Sequence, residues 1–294
     1  MSVAQFSGSI PALITPLLDG QYHQPTLQRL VDWHTDQGSS GLVICGTTGE
    51  CPTLSHEEHV QVIADAVRFA AGRIPIIAGA GSNSTQEAIA LTLASEEAGA
   101  DGVLHVTGYY NKPTQQQVVQ HFAAIDRVTR LPILVYNIPG RTGQELTVDT
   151  IVELAQLEHV AGVKDSTGNV ARVTMERARI RKPFAFLSGD DSTSLGYIAH
   201  GGDGCISVTA NVAPALFARM IAAARTNDLP AARDLQDRLM ALHMSLFLEP
   251  SPAGIKYAMW RLGLCANELR APLSTATAAA CAAIDEAMAT ADLG

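Results

Sequence analysis

"VAGVKDSTGN", residues 160–169, runs apolar or small for four residues, places a lysine at the end of the run, and breaks into a polar, glycine-containing turn. A short apolar run closed by turn residues reads as a buried strand. The pattern recurs in "SIPALITP", "GLVICGTTGE", "IPIIAGAGSN", "DGVLHVTGYY", "LPILVYNIPGRT", "FAFLSGDD" and "GCISVTAN". Helical stretches separate these runs. Apolar strands alternating with amphipathic helices imply an α/β fold, a parallel sheet with helices on its outer faces. Eight such units at roughly 25-residue intervals point to a closed (β/α)8 barrel, a TIM barrel, rather than an open sheet.

The intervening helices are legible one by one. "SHEEHVQVIADAVRFAAG" opens with Ser55 as cap and Glu58 three residues later, the spacing of a capping box. "STQEAIALTLASEEAGA" and "QQQVVQHFAAIDRVTR" carry apolar residues at helical spacing. After "NVAPALFARMIAAARTND" the strand signals stop, and the chain becomes alanine-rich and helix-forming through "AGIKYAMWRLGL" to the end. The expected division is a barrel carrying the active site over residues 1–224 and a small C-terminal helical domain over residues 225–294.

Composition narrows the function. With 47% apolar and 17% charged residues, 294 residues can bury a large core. A net charge of −9 argues against nucleic acid and anionic membranes as partners and leaves room for a small anionic substrate held by a few arginines. The start "MSVAQFSGSI" lacks the basic opening and long apolar core of a signal peptide, and no apolar run reaches membrane-spanning length. Five cysteines without metal-ligand spacing read as reduced thiols, and the expected location is the cytoplasm.

In a (β/α)8 barrel the active site lies where the C-terminal strand ends meet the following loops. That rule gathers Thr47, Thr48 and Glu50, then Tyr109 and Tyr110, then Tyr136 and Arg141, then Lys164 and Asp165, then Gly189, Asp190 and Ser207. The chain owns four lysines against 16 arginines, so Lys164 at a strand end has a purpose beyond charge. An amine in a dry pocket has its charged form disfavoured and can attack a carbonyl to give a Schiff base. The protonated imine withdraws electrons, and the neighbouring carbon can lose a proton and become a nucleophile. Tyr136 can move protons there and Thr47 can pass them along. Backbone N–H groups of "GTTGE", with the hydroxyls of Thr47 and Thr48, suit one carboxylate, and the fork of Arg141 suits a second. Taken singly, each residue has a plain structural role as well. A tyrosine can cover the barrel end, an arginine can pair at the surface, and a threonine can cap a turn. Their convergence on one face carries the argument. Rival motifs are incomplete. "GAGSNS" lacks the last glycine of a dinucleotide turn, and His56 and His59 fall one residue short of HExxH, so no metal ligand set is expected.

"GTTGE", "YYNKP", "YNIPGRTG", "GVKDSTGN", "SGDD" and "GCISVTAN" together resemble the ordered motifs of the dihydrodipicolinate synthase family, in the N-acetylneuraminate lyase superfamily, and "EPSPAGIKYAMWRLGL" resembles its "EPNPxxxK" tail. The resemblance covers essentially the whole chain. It implies a homotetramer that needs no cofactor and condenses pyruvate with aspartate 4-semialdehyde to 4-hydroxytetrahydrodipicolinate, opening the diaminopimelate route to lysine. By position, it puts the Schiff base on Lys164 and the proton relay on Tyr136, Thr47 and Tyr110, the last reaching in from a neighbouring subunit. It puts the pyruvate carboxylate on Thr48, the pyruvate pocket on Gly189 and Ile206, and the semialdehyde's carboxylate on Arg141. His56, His59, Asn83, Glu87 and Tyr109 match the feedback site of members inhibited by L-lysine. One departure is Gly108, where these synthases commonly carry proline, and a looser loop around Tyr110 is expected from it.

Two other functions use much of the same sequence. Another 2-keto-acid aldolase, lyase or hydratase would keep Lys164 and Tyr136 and give Arg141 a different partner. A non-catalytic barrel that senses a keto acid has no need of the set Lys164, Tyr136, Thr47 and Tyr110.

Overall fold

A computed structural model describes residues 6–293. Eight parallel strands form one sheet: β1 (Gly8–Pro11), β4 (Leu42–Ile44), β5 (Ile76–Gly79), β6 (Gly102–Val106), β7 (Ile133–Asn137), β8 (Val160–Asp165), β9 (Ala185–Ser188) and β10 (Gly204–Ser207). Each pairs with the next along the chain, β10 returns to β1, and a parallel bridge from Ala12 to Val43 closes the ring. The (β/α)8 barrel read from the sequence is therefore closed. A two-stranded hairpin, β2 (Leu17–Leu18) with β3 (Gln21–Tyr22), sits between the first two barrel strands and had no signal in the apolar pattern.

Alternation along the strands sorts the core into two layers. Ile10, Val43, Ile77, Leu104, Leu134 and Ile206 fill the barrel interior, and Phe6 packs with them. Their outward neighbours Leu42, Ile76, Val103, Ile133, Val163 and Cys205 bury against the surrounding helices.

Helix starts follow local chemistry. Ser55, Ser84, Thr114 and Thr147 each accept a bond from a backbone N–H in the first turn of α2 (His56–Ala70), α3 (Thr85–Glu97), α4 (Gln115–Asp126) and α6 (Val148–Leu154). The capping box expected at Ser55 forms only by half. Glu58 supplies the N–H, but its carboxylate pairs with Arg270, because a guanidinium is the stronger partner. The full box belongs to Thr114 and Gln117.

Beyond β10, α9 (Pro214–Arg225) leads into α10 (Leu229–Ser245), α11 (Ala253–Arg261) and α12 (Ala278–Thr290). The residue 224/225 boundary expected from the sequence lies at the last residue of α9, which packs on both β1 and α10. No helix among the described residues is long and apolar enough to cross a membrane.

Candidate active site

Strand β8 shows how a lysine comes to face the barrel interior. Gly162 points inward, where an added Cβ would strike the Ala185 carbonyl and Leu134 at 2.7 Å. Two residues on, Lys164 points the same way and is buried, while Val163 faces the helices. Tyr136 on β7 is in register with Lys164, and the ammonium Nζ lies 4.0 Å from the centre of its ring. No acidic side chain among the described residues pairs with that ammonium. Gly189 completes the fit: a Cβ there would come within 2.7 Å of Lys164 Cε and 2.1 Å of Ser166 Oγ. Its place in the sequence follows from room for the lysine stem.

The second wall is the turn Gly46–Glu50, closed by bonds from the Gly49 N–H to the Gly46 carbonyl (3.0 Å) and from the Glu50 N–H to the Thr47 carbonyl (3.1 Å). Thr15 Oγ donates to the Gly49 carbonyl from below at 2.7 Å. The backbone N–H groups of Thr47 and Thr48 have no acceptor among the described residues, and both side chains line the cavity. Glu50, expected at the mouth, does something else. It is 3% exposed, forms an ion pair with Lys256 of α11 at 2.5 Å, and accepts the Arg270 N–H at 3.1 Å.

Lys164, Tyr136, Thr47, Thr48, Arg141 and Gly189 line one cavity of about 780 Å³ at the C-terminal ends of the strands. Arg141 stands on the short helix α5 (Pro139–Thr142) just past β7, exposed, with no carboxylate partner among the described residues. Ile206 is fully buried in the inner cluster with Tyr136 and is not part of the cavity wall. Tyr110 is not brought in at all: it is 92% exposed, at φ 68°, outside the cavity. A Cβ at Gly108 would meet the Pro113 ring at 2.8 Å, so the glycine permits a close fold-back, and Asn111 ties the loop to the Asn83 carbonyl at 2.9 Å.

The same cavity extends to His56, His59, Glu87 and Tyr109. His56 Nε2 lies 2.8 Å from Glu87 Oε1, Ser82 donates to the other Glu87 oxygen, and Asn83 donates to the Tyr109 carbonyl at 3.2 Å. The Ser82 bond, with His56 assisting, holds the Glu87 carboxyl below its usual range. His59 is buried, and burial holds its imidazole below the ordinary value. Its Nε2 is 2.8 Å from the Gly79 carbonyl and must donate, which leaves only Nδ1 as an acceptor.

A network behind the site went unseen in the sequence. Asp165, pointing outward beside Lys164, accepts from Asn137 (3.0 Å), Thr167 (2.6 Å) and Arg172 (3.1 Å). Arg172 also reaches Glu145 at 2.7 Å and Glu176 at 3.1 Å, and it is 5% exposed. These bonds pin the ends of β7 and β8, hence the spacing of Tyr136 and Lys164. A helix arginine seven residues past the strand was the available signal. Among the described residues, no group of three or more His, Cys, Asp or Glu side chains is placed to hold a metal ion.

A closed parallel barrel whose C-terminal cavity is lined by a buried lysine and an unpaired arginine defines a (β/α)8-barrel enzyme that handles a small anionic substrate. The chain belongs to the dihydrodipicolinate synthetase family, which it matches over residues 5–291. It is 54% identical to the 4-hydroxy-tetrahydrodipicolinate synthase of Parvibaculum lavamentivorans, over 94% of each chain. Its fold superposes with a TM-score of 0.96 on the chloride-inhibited dihydrodipicolinate synthase of Acinetobacter baumannii complexed with pyruvate, at 44% identity over 98% of this chain and 99% of that one. A synthase of this family from Cyanidioschyzon merolae with lysine bound superposes with a TM-score of 0.95, at 36% identity over 99% of both chains.

Proposed function

We propose that this chain condenses pyruvate with aspartate 4-semialdehyde to 4-hydroxytetrahydrodipicolinate through a Schiff base on Lys164. The observation that carries this is the buried, unpaired amine of Lys164 against the Tyr136 ring, in a cavity that also holds Arg141. Lys164 Nζ attacks the pyruvate carbonyl, water leaves, and the imine forms. Loss of a proton from the methyl carbon gives the enamine, which attacks the aldehyde carbon of the second substrate. The amino group of that substrate then displaces Lys164 from the imine carbon and closes the ring. No electrons are exchanged with an outside donor, so the sequence of steps needs no redox cofactor, and the protonated imine supplies the electron withdrawal at the neighbouring carbon.

The roles divide by geometry. The free N–H groups and hydroxyls at Thr47 and Thr48 hold the pyruvate carboxylate, Tyr136 and Thr47 move protons, and Arg141 grips the semialdehyde's carboxylate. Gly189 gives the Lys164 stem its room beside the pyruvate pocket, and Ile206 supports Tyr136 from beneath. Tyr110, outward on a folded-back loop, serves a neighbouring subunit's relay in a cytoplasmic homotetramer. Mixing Tyr110→Phe with Lys164→Ala subunits is then expected to restore activity in verified hybrids, and no recovery there refutes the sharing. The wider assignment is tested by incubating the protein with pyruvate and borohydride. One pyruvate-derived mass on the peptide holding residue 164 is expected, and label on Lys112 or Lys256 refutes it.

L-lysine binds the extension of the cavity at His56, His59, Glu87 and Tyr109, with Asn83 bonded to the Tyr109 carbonyl beside it. Glu87, already held ionised, takes an ammonium, and Tyr109 lies beside Tyr110, which gives the two sites a route to couple.

A further inference from the structure

The C-terminal segment reaches behind the catalytic turn at several points. Lys256 on α11 is 0% exposed and sends Nζ to Glu50 Oε1 at 2.5 Å and to the Glu268 carbonyl at 2.7 Å. Glu268 in turn accepts the N–H groups of Asp19 and Gly20 at the β2–β3 hairpin, at 3.2 and 3.0 Å. Two residues on, the Arg270 N–H reaches Glu50 Oε2 at 3.1 Å, and its guanidinium bonds the Thr53 carbonyl at 2.9 Å and Glu58 at 2.7 Å. Both oxygens of Glu50 are therefore held by residues more than 200 positions away in the chain.

Glu50 also carries backbone strain. Its φ of 55° is left-handed, a conformation a residue with a Cβ adopts at a cost, so something must hold it. The turn it ends is the one that leaves the Thr47 and Thr48 N–H groups free at the cavity. On the opposite side of that turn stands the Lys256 ammonium. Burial lowers the affinity of Lys256 for its proton, and the facing Glu50 carboxylate restores part of it.

We propose that Glu50 and Lys256 are positioning residues for pyruvate: their buried ion pair fixes the Gly46–Glu50 turn so that its free N–H groups meet the keto acid's carboxylate. The inference rests on the reading of that turn as the carboxylate holder. It gives the C-terminal segment a part in the reaction through Lys256, which lies outside the cavity wall. The pair acts on ground-state and transition-state binding alike, so its loss shows in KM for pyruvate rather than in kcat.

Steady-state kinetics on the full-length protein test this. Glu50→Gln keeps an acceptor for the Arg270 N–H while removing the attraction to Lys256, and a rise in pyruvate KM of about threefold is expected. Lys256→Met strands a buried carboxylate, and a rise on the order of tenfold is expected, with kcat and the semialdehyde KM changed less than about threefold. The double variant is expected to be no worse than Lys256→Met alone, because both substitutions act through one ion pair. Additive rises, or a parallel fall of kcat with thermal stability and no pyruvate-specific change, overturn the proposal. Should Lys256→Met fail to fold, Glu50→Gln decides alone: an unchanged pyruvate KM overturns it. Thr48→Val is measured alongside. If Thr48→Val leaves pyruvate KM unchanged, the assignment of the carboxylate site has failed. If it raises that KM and the Glu50 and Lys256 variants do not, only the positioning role has failed.

Discussion

Lys164 and Lys256 are buried to nearly the same degree, 5% and 0% exposed, yet their ammonium groups meet opposite surroundings. Lys256 lies behind the catalytic turn with the Glu50 carboxylate at 2.5 Å and a backbone carbonyl at 2.7 Å. Lys164 has the π-face of Tyr136, an open cavity and no carboxylate partner among the described residues. A buried charge is costly unless paired, and removing one partner of a buried pair is more costly still. Lys256 satisfies that rule, and on our proposal it holds the turn. Lys164 does not satisfy it, and under the proposed function a substrate carbonyl takes up that amine, with the barrel bearing the cost of keeping it unpaired until then. The remaining lysines complete the contrast: Lys182 donates to the Leu157 carbonyl at 2.5 Å, and Lys112 is exposed.

The contrast breaks first at Lys164. Lys164→Ala is expected to lose turnover by a factor on the order of 1,000 or more, since the covalent path is gone, while its thermal stability holds or rises. Turnover within tenfold of the parent in a coupled condensation assay would place the nucleophile elsewhere.

Arg141 sharpens it as the second cation of the cavity wall that has no carboxylate partner among the described residues. Arg141→Ala is expected to trap pyruvate with borohydride as the parent does, yet to lose condensation on the order of 100-fold. Equal loss of both steps counts against the division of carboxylates between the turn and the arginine.

How much of this was readable from the chain differs between the two lysines. The strand carrying Lys164 announced itself, because a buried parallel strand is a continuous apolar run and its end falls at the barrel mouth. Gly189, Tyr136 and Thr48 were placed by the same rule. The partner of Lys256 was not readable in that way, since Glu50 is 206 positions distant and stands in a motif that also supplies the site. Glu50 was therefore expected at the mouth, and the structure turns it to the rear. Arg172 escaped for a similar reason: an arginine on an amphipathic helix reads as surface until the fold shows three carboxylates around it. The β2–β3 hairpin is two residues per strand, too short to show a period. His59 sits one turn from His56 on the same helix, yet only His56 is exposed, a difference fixed by the strand beneath.

At the cavity extension the contrast runs the other way, with Glu87 as a carboxylate that has no permanently charged partner among the described residues. Its carboxylate is occupied by His56 and Ser82, neither of which is a permanent charge. A lysine ammonium is expected to displace them. Glu87→Ala should raise the lysine concentration for half inhibition about tenfold or more and leave the uninhibited rate within about twofold, as loss of one charge-assisted contact implies. Full activity of the parent at millimolar lysine ends the assignment. Inhibition that vanishes at high pyruvate places lysine in the catalytic site instead.

The smallest expected effect concerns a buried carboxylate with only a share of a cation. Glu176 is 0% exposed; Oε1 accepts from Arg172 at 3.1 Å, and Oε2 has no hydrogen-bond partner. Arg172 is divided among Glu176, Asp165 and Glu145. Burial pushes the Glu176 carboxyl up to about 8; Arg172 opposes the shift and Asp165 adds to it. In the unfolded chain the same group ionises near its ordinary value of 4.5. Between those two values the folded protein binds the extra proton, so unfolding releases it and stability falls as pH rises. The contribution is fully present below about 4.5 and is lost by the time pH has passed about 8. The loss is on the order of a few kcal/mol, at about 1.4 kcal/mol for each pH unit between the two values. Glu176→Gln carries no proton to lose and keeps the bond to Arg172. Melting temperatures of parent and variant, followed from pH 5 to pH 9, should therefore diverge by roughly 5 °C, with the parent falling more steeply. Parallel curves would mean that Glu176 is ionised throughout and that Arg172, though shared three ways, is partner enough.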